Sequence, residues 1–597
     1  MEEFSVIGKS VPRVDALEKV TGRARYCVDV ELPRMLHAKV LRSKYPYARI
    51  LGIDTSEAGK LPGVQAVITA EDTLKQKTES IWRGIPDKYV LALDKVRYVG
   101  EEVAAVAAED ELTAEEALGL IRVEYEELTA VFDPEESIKP GAPKIHDAEG
   151  NIAAEVEIEF GDLAKGIQEA DYVIEDRFVT QYYHPCHLEP MVCIAAFDSS
   201  GKLTFYENSA DPFRNRRLVA KALGIDPSKV RIVQEFMGGN HGCWQCELSQ
   251  YVITALLSTK TGRPVRLVNT REEELTATRL RMPQITYLKA GVKKDGTLTA
   301  RHYRVIANCG AYSGYAPIMM RSGLRNSTGL YRCPNVRLEG KCVYTNMVPT
   351  GPARAFGTVQ QAFSTESLMD MVADKLGMDP VELRLRNATR TGDVTVVGQK
   401  IGSGGLLECM DKVTSYSGWK EKRLMKQPNR GIGMALGMAN SDSRESDFGG
   451  SIIYINVLED GRIRIVTGEY EWGQGSKTIM SQIVAEELTV PLESVEFSKL
   501  DTDTVPYTLG PYGGGRLVST AGNAVRLAAL EAKKQLFATA AKMFGAGFED
   551  LEMKDQKIFI GRIPEKVVSI ADVASYARYS GTEIIGTGVY DPPHGGA

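Results

Sequence analysis

At 597 residues, with 43% apolar and 25% charged residues, the chain has the composition of a soluble globular protein long enough for several packed domains. The net charge of −7 is spread without a basic block, which argues against a dedicated nucleic-acid surface, and no apolar run approaches the ~18 residues of a membrane helix. Met1-Glu2-Glu3-Phe4 carries acid where a secretory signal carries base, so the expected location is cytoplasmic.

In chain order, residues 1–145 mix strands and helices. Leu36-His37-Ala38-Lys39-Val40-Leu41 and Val64-Gln65-Ala66-Val67-Ile68-Thr69 read as strands, and Val103 to Ala108 as a buried one. A short helix is expected over 113–120, with Thr113 and Glu116 spaced as a capping box, ahead of a strand over 121–125. The polar, proline-bearing stretch 133–143 marks the first domain boundary.

Beyond residue 150 one order of elements occurs twice. A strand over 201–206, a helix over 215–223, a strand ending near 233 and the loop Gly238-Gly239-Asn240-His241-Gly242 lead into a second helix. About 260 residues later come a strand over 461–466, the loop Gly473-Gln474-Gly475, a helix to Leu488, a strand over 491–497 and Gly513-Gly514-Gly515-Arg516 before a helix over 520–536. This spacing is too long for a solenoid and describes two related domains. At a strand-to-helix junction the first helical amides lack internal partners and the helix dipole is positive, so each glycine loop is a candidate anion seat. Neither GxxxxGK[ST] nor GxGxxG is present, which excludes ordinary ATP and Rossmann dinucleotide sites.

Nine scattered cysteines do not describe a disulfide framework. Cys243-Trp244-Gln245-Cys246 is the one CxxC pair, without the small redox unit that normally carries it. No second group of thiols completes an iron–sulfur site, so any electron relay is expected on another chain.

Several motifs, in order along nearly the whole chain, resemble the molybdenum-binding subunit of the xanthine dehydrogenase and aldehyde oxidase family. They are Arg13-Val14-Asp15-Ala16-Leu17-Glu18-Lys19-Val20-Thr21-Gly22, Tyr98-Val99-Gly100-Glu101-Glu102, NMVPTGPARAFG at 346–357, Glu471-Trp472-Gly473-Gln474-Gly475 and Ala521-Gly522-Asn523-Ala524-Val525. The resemblance implies a mixed α/β fold, with a hammerhead-type domain over 1–145 and two related molybdopterin-binding domains over 146–425 and 426–597. It implies molybdopterin carrying Mo, often as the cytosine dinucleotide in bacteria, with no side-chain ligand to the metal. A 2Fe-2S subunit and an FAD subunit are implied as partners, and the activity is hydroxylation with water as oxygen source.

By the same resemblance, Gly239, Gly242, Gly473, Gln474, Gly475, Gly513, Gly514, Gly515 and Arg516 are expected to hold the cofactor. Phe356 is expected to stack on a flat substrate, Arg354 to serve substrate and cofactor, and Arg281 to stabilise negative charge. The chain departs from the family pattern at three places near the metal: His241 replaces a Phe, Gln245 a Glu, and Ala210 a Gln. His241 and Gln245 therefore join Arg281 as candidate catalytic residues, with Ala210 on the substrate side. The family's base, a Glu in a glycine-rich C-terminal segment, has no counterpart before Ala597, so a separate polypeptide is expected to supply it. The expected substrate is an N-heterocycle or purine-like ring. Aldehyde oxidation, reductive dehydroxylation and a non-catalytic scaffold remain as alternatives.

Overall fold

The computed structural model describes residues 4–79, 84–242, 248–425, 427–438, 449–508, 513 and 515–592. Its central feature is one folding unit used twice. In the first copy, strands β1 (Val192–Phe197) and β2 (Leu203–Glu207) lead to helix α1 (Pro212–Leu223), β3 (Val230–Gln234), α2 (Leu248–Thr261) and β4 (Val265–Val268). In the second, β5 (Ser451–Val457) and β6 (Ile463–Thr467) lead to α3 (Ser476–Leu488), β7 (Val495–Phe497), α4 (Gly522–Phe544) and β8 (Ile584–Tyr590).

The sheet orders correspond, β3-β2-β1-β4 and β7-β6-β5-β8. In both, the pair bridged by a helix is parallel and the others are antiparallel, because a parallel pair needs a crossover while a hairpin does not. The duplication read from the sequence is therefore present, and it extends to the flanking strands. Just after β7, Leu500–Asp501 pairs with β3, and Arg231 Nε donates to both oxygens of Asp501 at 3.0 and 3.1 Å. The two copies are stitched at that edge.

The N-terminal region is not separate from the first copy. Leu36–Arg42 pairs in parallel with β4, and Glu102–Ala108 and Val64–Thr69 extend the same sheet to eight strands. Every residue of Glu102–Ala108 is buried, the apolar run Val103–Ala108 in the core and Glu102 paired with Lys88 Nζ at 2.9 Å. The following helix, Glu111–Leu120, starts earlier than expected. Asp110 is its cap, accepting from Thr113 N at 2.8 Å, so the Thr113–Glu116 box is corrected: Thr113 lies inside the first turn.

A five-stranded sheet, formed by Ile152–Phe160, Tyr172–Val179, Gln284–Val292, Leu298–Gly310 and Val336–Tyr344, completes the middle of the chain. Helices Ala316–Ser327 and Thr358–Leu376 share its core through Met319, Met320, Leu324, Leu368 and Met369. The segment 349–357, which carries Arg354 and Phe356, runs between this layer and the first copy.

Candidate active site

The second-copy loop ends at Gly475, whose φ of +88° caps α3, and Gly473 has φ +108°. These are left-handed values that glycine adopts without strain. A Cβ on Gly473, Gly475 or Gly513 would meet nothing within 4 Å, so the loops face open space. The amides, however, are already used. Glu471 accepts from Gly473 N (2.8 Å), Gly475 N (3.0 Å), Lys477 N (3.2 Å) and Ser476 Oγ (2.7 Å). The expectation of an open anion seat is thus corrected, because the chain's own carboxylate fills it. Burial opposes charge on Glu471, yet the bonds from Gly475, Ser476, Lys477 and Gly473 outweigh it and hold the carboxyl below its ordinary range. Gln474 braces the loop as well, its Oε1 accepting from Trp472 N and its Nε2 donating to Tyr470 O. Its side chain remains exposed, with a second amide proton to offer.

In the other loop of this copy, Gly513 is exposed and Gly515 has φ +76°, while Gly514 lies outside the described residues. Arg516 is 7% exposed and immediately precedes a π-helical turn, Leu517–Ala521, that continues into α4.

The first-copy loops are held from behind by buried polar groups. Asn215 Nδ2 reaches Ser209 Oγ at 2.9 Å and both oxygens of Glu207 at 3.3 Å, and Gln234 Nε2 donates to Ser209 O. Burial pushes the Glu207 carboxyl up to about 8 despite bonds from Tyr251, Asn215 and Gln234, so it is mainly protonated at neutral pH. Ala210 is fully buried among second-copy residues such as Ile453 and Tyr470. This methyl belongs to a core cluster shared with the second copy, and its substrate-side role remains an expectation. Beyond it, Asp211 at φ +67° pairs with Arg214 Nε at 2.9 Å, and Arg214 Nη1 donates to Tyr315 OH at 2.7 Å.

In the loop at 238–242, Glu189 accepts from Gly238 N at 2.6 Å, and Asn240 Oδ1 accepts from Gly242 N at 2.8 Å. Asn240 is fully buried, and its Nδ2 has no partner among the described residues, so it is a donor left for a ligand. Gly239 and Gly242 have φ of +112° and +93°, and a Cβ on Gly239 would lie 2.9 Å from His187 Cβ. Here glycine serves close packing. His241, at φ +53°, is exposed and stacks on His187 with ring centres 6.1 Å apart. Gln245 and the CxxC pair fall outside the described residues.

Below that stack, the Nε2 atoms of His184 and His187 lie 3.9 and 3.8 Å from Glu274 Oε2. His184 Nδ1 accepts from Cys186 N at 3.0 Å, which places the proton of the neutral ring on Nε2, facing Thr278 Oγ1 at 3.5 Å. In that tautomer the His184 Nε2 proton faces Thr278, and the three side chains form a buried polar cluster under the loop. Burial, then the nearby imidazoles of His184 and His241 and the Arg271 guanidinium, pushes His187 down to about 3. Between the unfolded value near ~6.5 and about 3, only the unfolded chain takes up this proton, so stability falls on acidification. Replacing His187 with Phe is expected to keep the stack and flatten the acid limb of urea-melt stability between pH 6.5 and 4. The slope should fall by up to ~1.4 kcal/mol per pH unit.

Two of the expected residues, Arg354 and Phe356, share a segment that Arg281 holds by its backbone. Arg281 lies in a two-residue strand, Leu280–Arg281, paired in parallel with Thr350–Gly351. This pairing brings Arg281 Nη2 to 2.8 Å from Arg354 O. The Arg354 side chain is exposed, and Phe356 is half-buried with its ring edge-on to Tyr315 at 6.4 Å. Ala355 and Phe356 have φ of +79° and +42°. Ala355 therefore sits in a region that favours glycine and carries backbone strain on the order of 1 kcal/mol. Tyr183 was missed from the sequence. Its carbonyl accepts from Arg281 N at 2.8 Å, and its 55%-exposed ring lies 5.8 Å from the Arg281 guanidinium. The aromatic pair Tyr182-Tyr183 ahead of His184-Pro185 was the available signal.

Open space over the glycines, a buried donor on Asn240 without a partner among the described residues and the exposed Arg354 leave room and polar groups for a planar cofactor. The profile of the molybdopterin cofactor-binding domain matches residues 145–388, and its second form matches 410–596. That of the aldehyde oxidase and xanthine dehydrogenase a/b hammerhead domain matches 21–129. The chain is 34% identical over 590 residues to the xanthine dehydrogenase molybdenum-binding subunit of Escherichia coli O157:H7, covering 95% of this chain and 77% of that one. It is 36% identical over 412 residues to the nicotinate dehydrogenase large molybdopterin subunit of Eubacterium barkeri, covering 69% and 96%. Quinoline 2-oxidoreductase from Pseudomonas putida 86 superposes with a TM-score of 0.90 at 26% identity, over 99% of this chain and 80% of that one.

The chain thus belongs to the xanthine dehydrogenase and aldehyde oxidase family of molybdenum-dependent oxidoreductases, as a molybdopterin-binding subunit. No helix among the described residues is long and apolar enough to cross a membrane.

Proposed function

We propose that this chain binds molybdopterin, as the cytosine dinucleotide, between its two copies and hydroxylates a planar, electron-poor N-heterocycle. The observation that carries this reading is the pairing of Leu280–Arg281 with Thr350–Gly351, which ties Arg281 to Arg354 O in the segment that bears Phe356 and passes the Gly242 loop at Pro352. When bound, the cofactor supplies a two-electron acceptor, with water as the source of the oxygen. Phe356 offers a flat aromatic face to a ring, and Tyr315 meets it edge-on to fix its tilt. Arg281, anchored on Arg354 O, holds a positive charge where negative charge develops on the ring nitrogen. Asn240 Nδ2, Gln474 and Arg516 hold the cofactor. The names of two similar proteins, nicotinate dehydrogenase and quinoline 2-oxidoreductase, support a nitrogen heterocycle.

In this reading 2Fe-2S and FAD subunits take the electrons, in the cytoplasm. The intact complex is tested by turnover with pyridine carboxylates and quinolines against aromatic aldehydes, using a dye acceptor. Faster turnover of the heterocycles supports the reading, and a preference for aldehydes overturns it. Gln474→Ala is expected to cut molybdenum per chain several-fold, as measured by elemental analysis. Unchanged occupancy contradicts the role given to that loop.

A further inference from the structure

We infer that Glu471 and Arg13 form an internal clasp that presets the Gly473–Gly475 loop for the cofactor, an inference that rests on the cofactor reading of that loop. The Glu471 side chain, 5% exposed, gathers three backbone amides and a hydroxyl of one short segment. A carboxylate with this many donors fixes the backbone of residues 473–477 as a bound anion would. The loop's geometry is therefore set before any ligand arrives.

Arg13 closes the clasp from a distant part of the chain. Its Nη1 donates to Gly473 O at 2.8 Å and its Nη2 lies 3.3 Å from Glu471 Oε1. Its Nε and Nη2 also donate to Asp15 at 3.0 and 3.1 Å, and Lys19 Nζ lies 2.5 Å from the same carboxylate. One guanidinium thus grips both the carbonyl and the carboxylate of the loop, which the single ammonium of lysine cannot do in that geometry. The arm around it is fastened along α3. Ser5, Val6 and Ile7 donate their amides to Glu486, Gln482 Nε2 donates to Val6 O and Lys9 O, and Val14 N donates to Thr478 Oγ1. Arg13 and Glu471 are positioning residues, since their contacts are to the loop.

The test uses the full complex and its cofactor-stripped form, with Glu471→Gln, Arg13→Lys and Gln474→Ala. A glutamine at 471 keeps the shape but offers one acceptor oxygen. In stripped Glu471→Gln, hydrogen exchange of the Gly473, Gly475 and Lys477 amides is expected to rise roughly tenfold. Molybdenum per chain should fall several-fold after reloading, while the melting temperature stays within about 2 °C. Arg13→Lys should give the same pattern at smaller size. Unchanged exchange overturns the clasp. Faster exchange with unchanged molybdenum overturns the positioning role, and a matched fall in melting temperature reduces it to general stability. If Gln474→Ala also retains full molybdenum, the failure lies with the cofactor reading of the loop.

Discussion

Gly588→Ala is expected to unfold the second copy and, with it, to remove bound molybdenum. A Cβ at Gly588 would lie 1.9 Å from Ala524 O and 2.6 Å from Ala528 N, and one at Gly586 would lie 2.0 Å from Ala528 O. These atoms are the backbone of α4, which lies on β8 through the buried methyls of Ala524, Ala528 and Ala532. No rotamer can relieve a clash with backbone. Either the helix separates from the strand, exposing the alanine seam, or the strand leaves the sheet. We expect a loss of about 3 kcal/mol or more, read by chemical denaturation of the purified chain. Gly581→Ala is the control, because a Cβ there meets nothing within 4 Å and only its φ of +75° resists the change, at about 1 kcal/mol. Equal effects at both positions would contradict the packing account.

Arg281→Met is expected to lower kcat/KM by about 10²- to 10³-fold, mostly through kcat, with molybdenum per chain unchanged. The methionine retains much of the volume but lacks the charge proposed to face the ring nitrogen. It also lacks the bond to Arg354 O, which ties the short strand at 280–281 to the segment bearing Phe356. Arg281→Lys separates the two effects: it keeps charge without the planar fork, so its loss should be intermediate. A rise in KM with unchanged kcat would show that Arg281 only binds substrate, contrary to the role proposed.

Much of the architecture was legible because its signals are local. Alternating apolar residues in 461–466, the Gly473-Gln474-Gly475 loop and the helical spacing after it are contiguous in sequence, and they recur in order at 201–242. What escaped notice depends on distant partners. Ala210 reads as a pocket residue by motif position, but it is buried in a cluster whose other buried members come from residues more than 240 positions away. The loop amides look available until Glu471 is seen to fold back on them, and Arg13 reaches the Gly473 carbonyl of the same loop across 460 residues. Tyr183 carries no motif, and only the pairing of Leu280–Arg281 with Thr350–Gly351 shows what it lies against.

The most direct measurement is native mass and elemental analysis of the intact complex purified under gentle conditions. The account predicts molybdenum and a pterin cytosine dinucleotide at near one per chain, together with iron–sulfur and flavin subunits. An active complex containing neither molybdenum nor a pterin would contradict it.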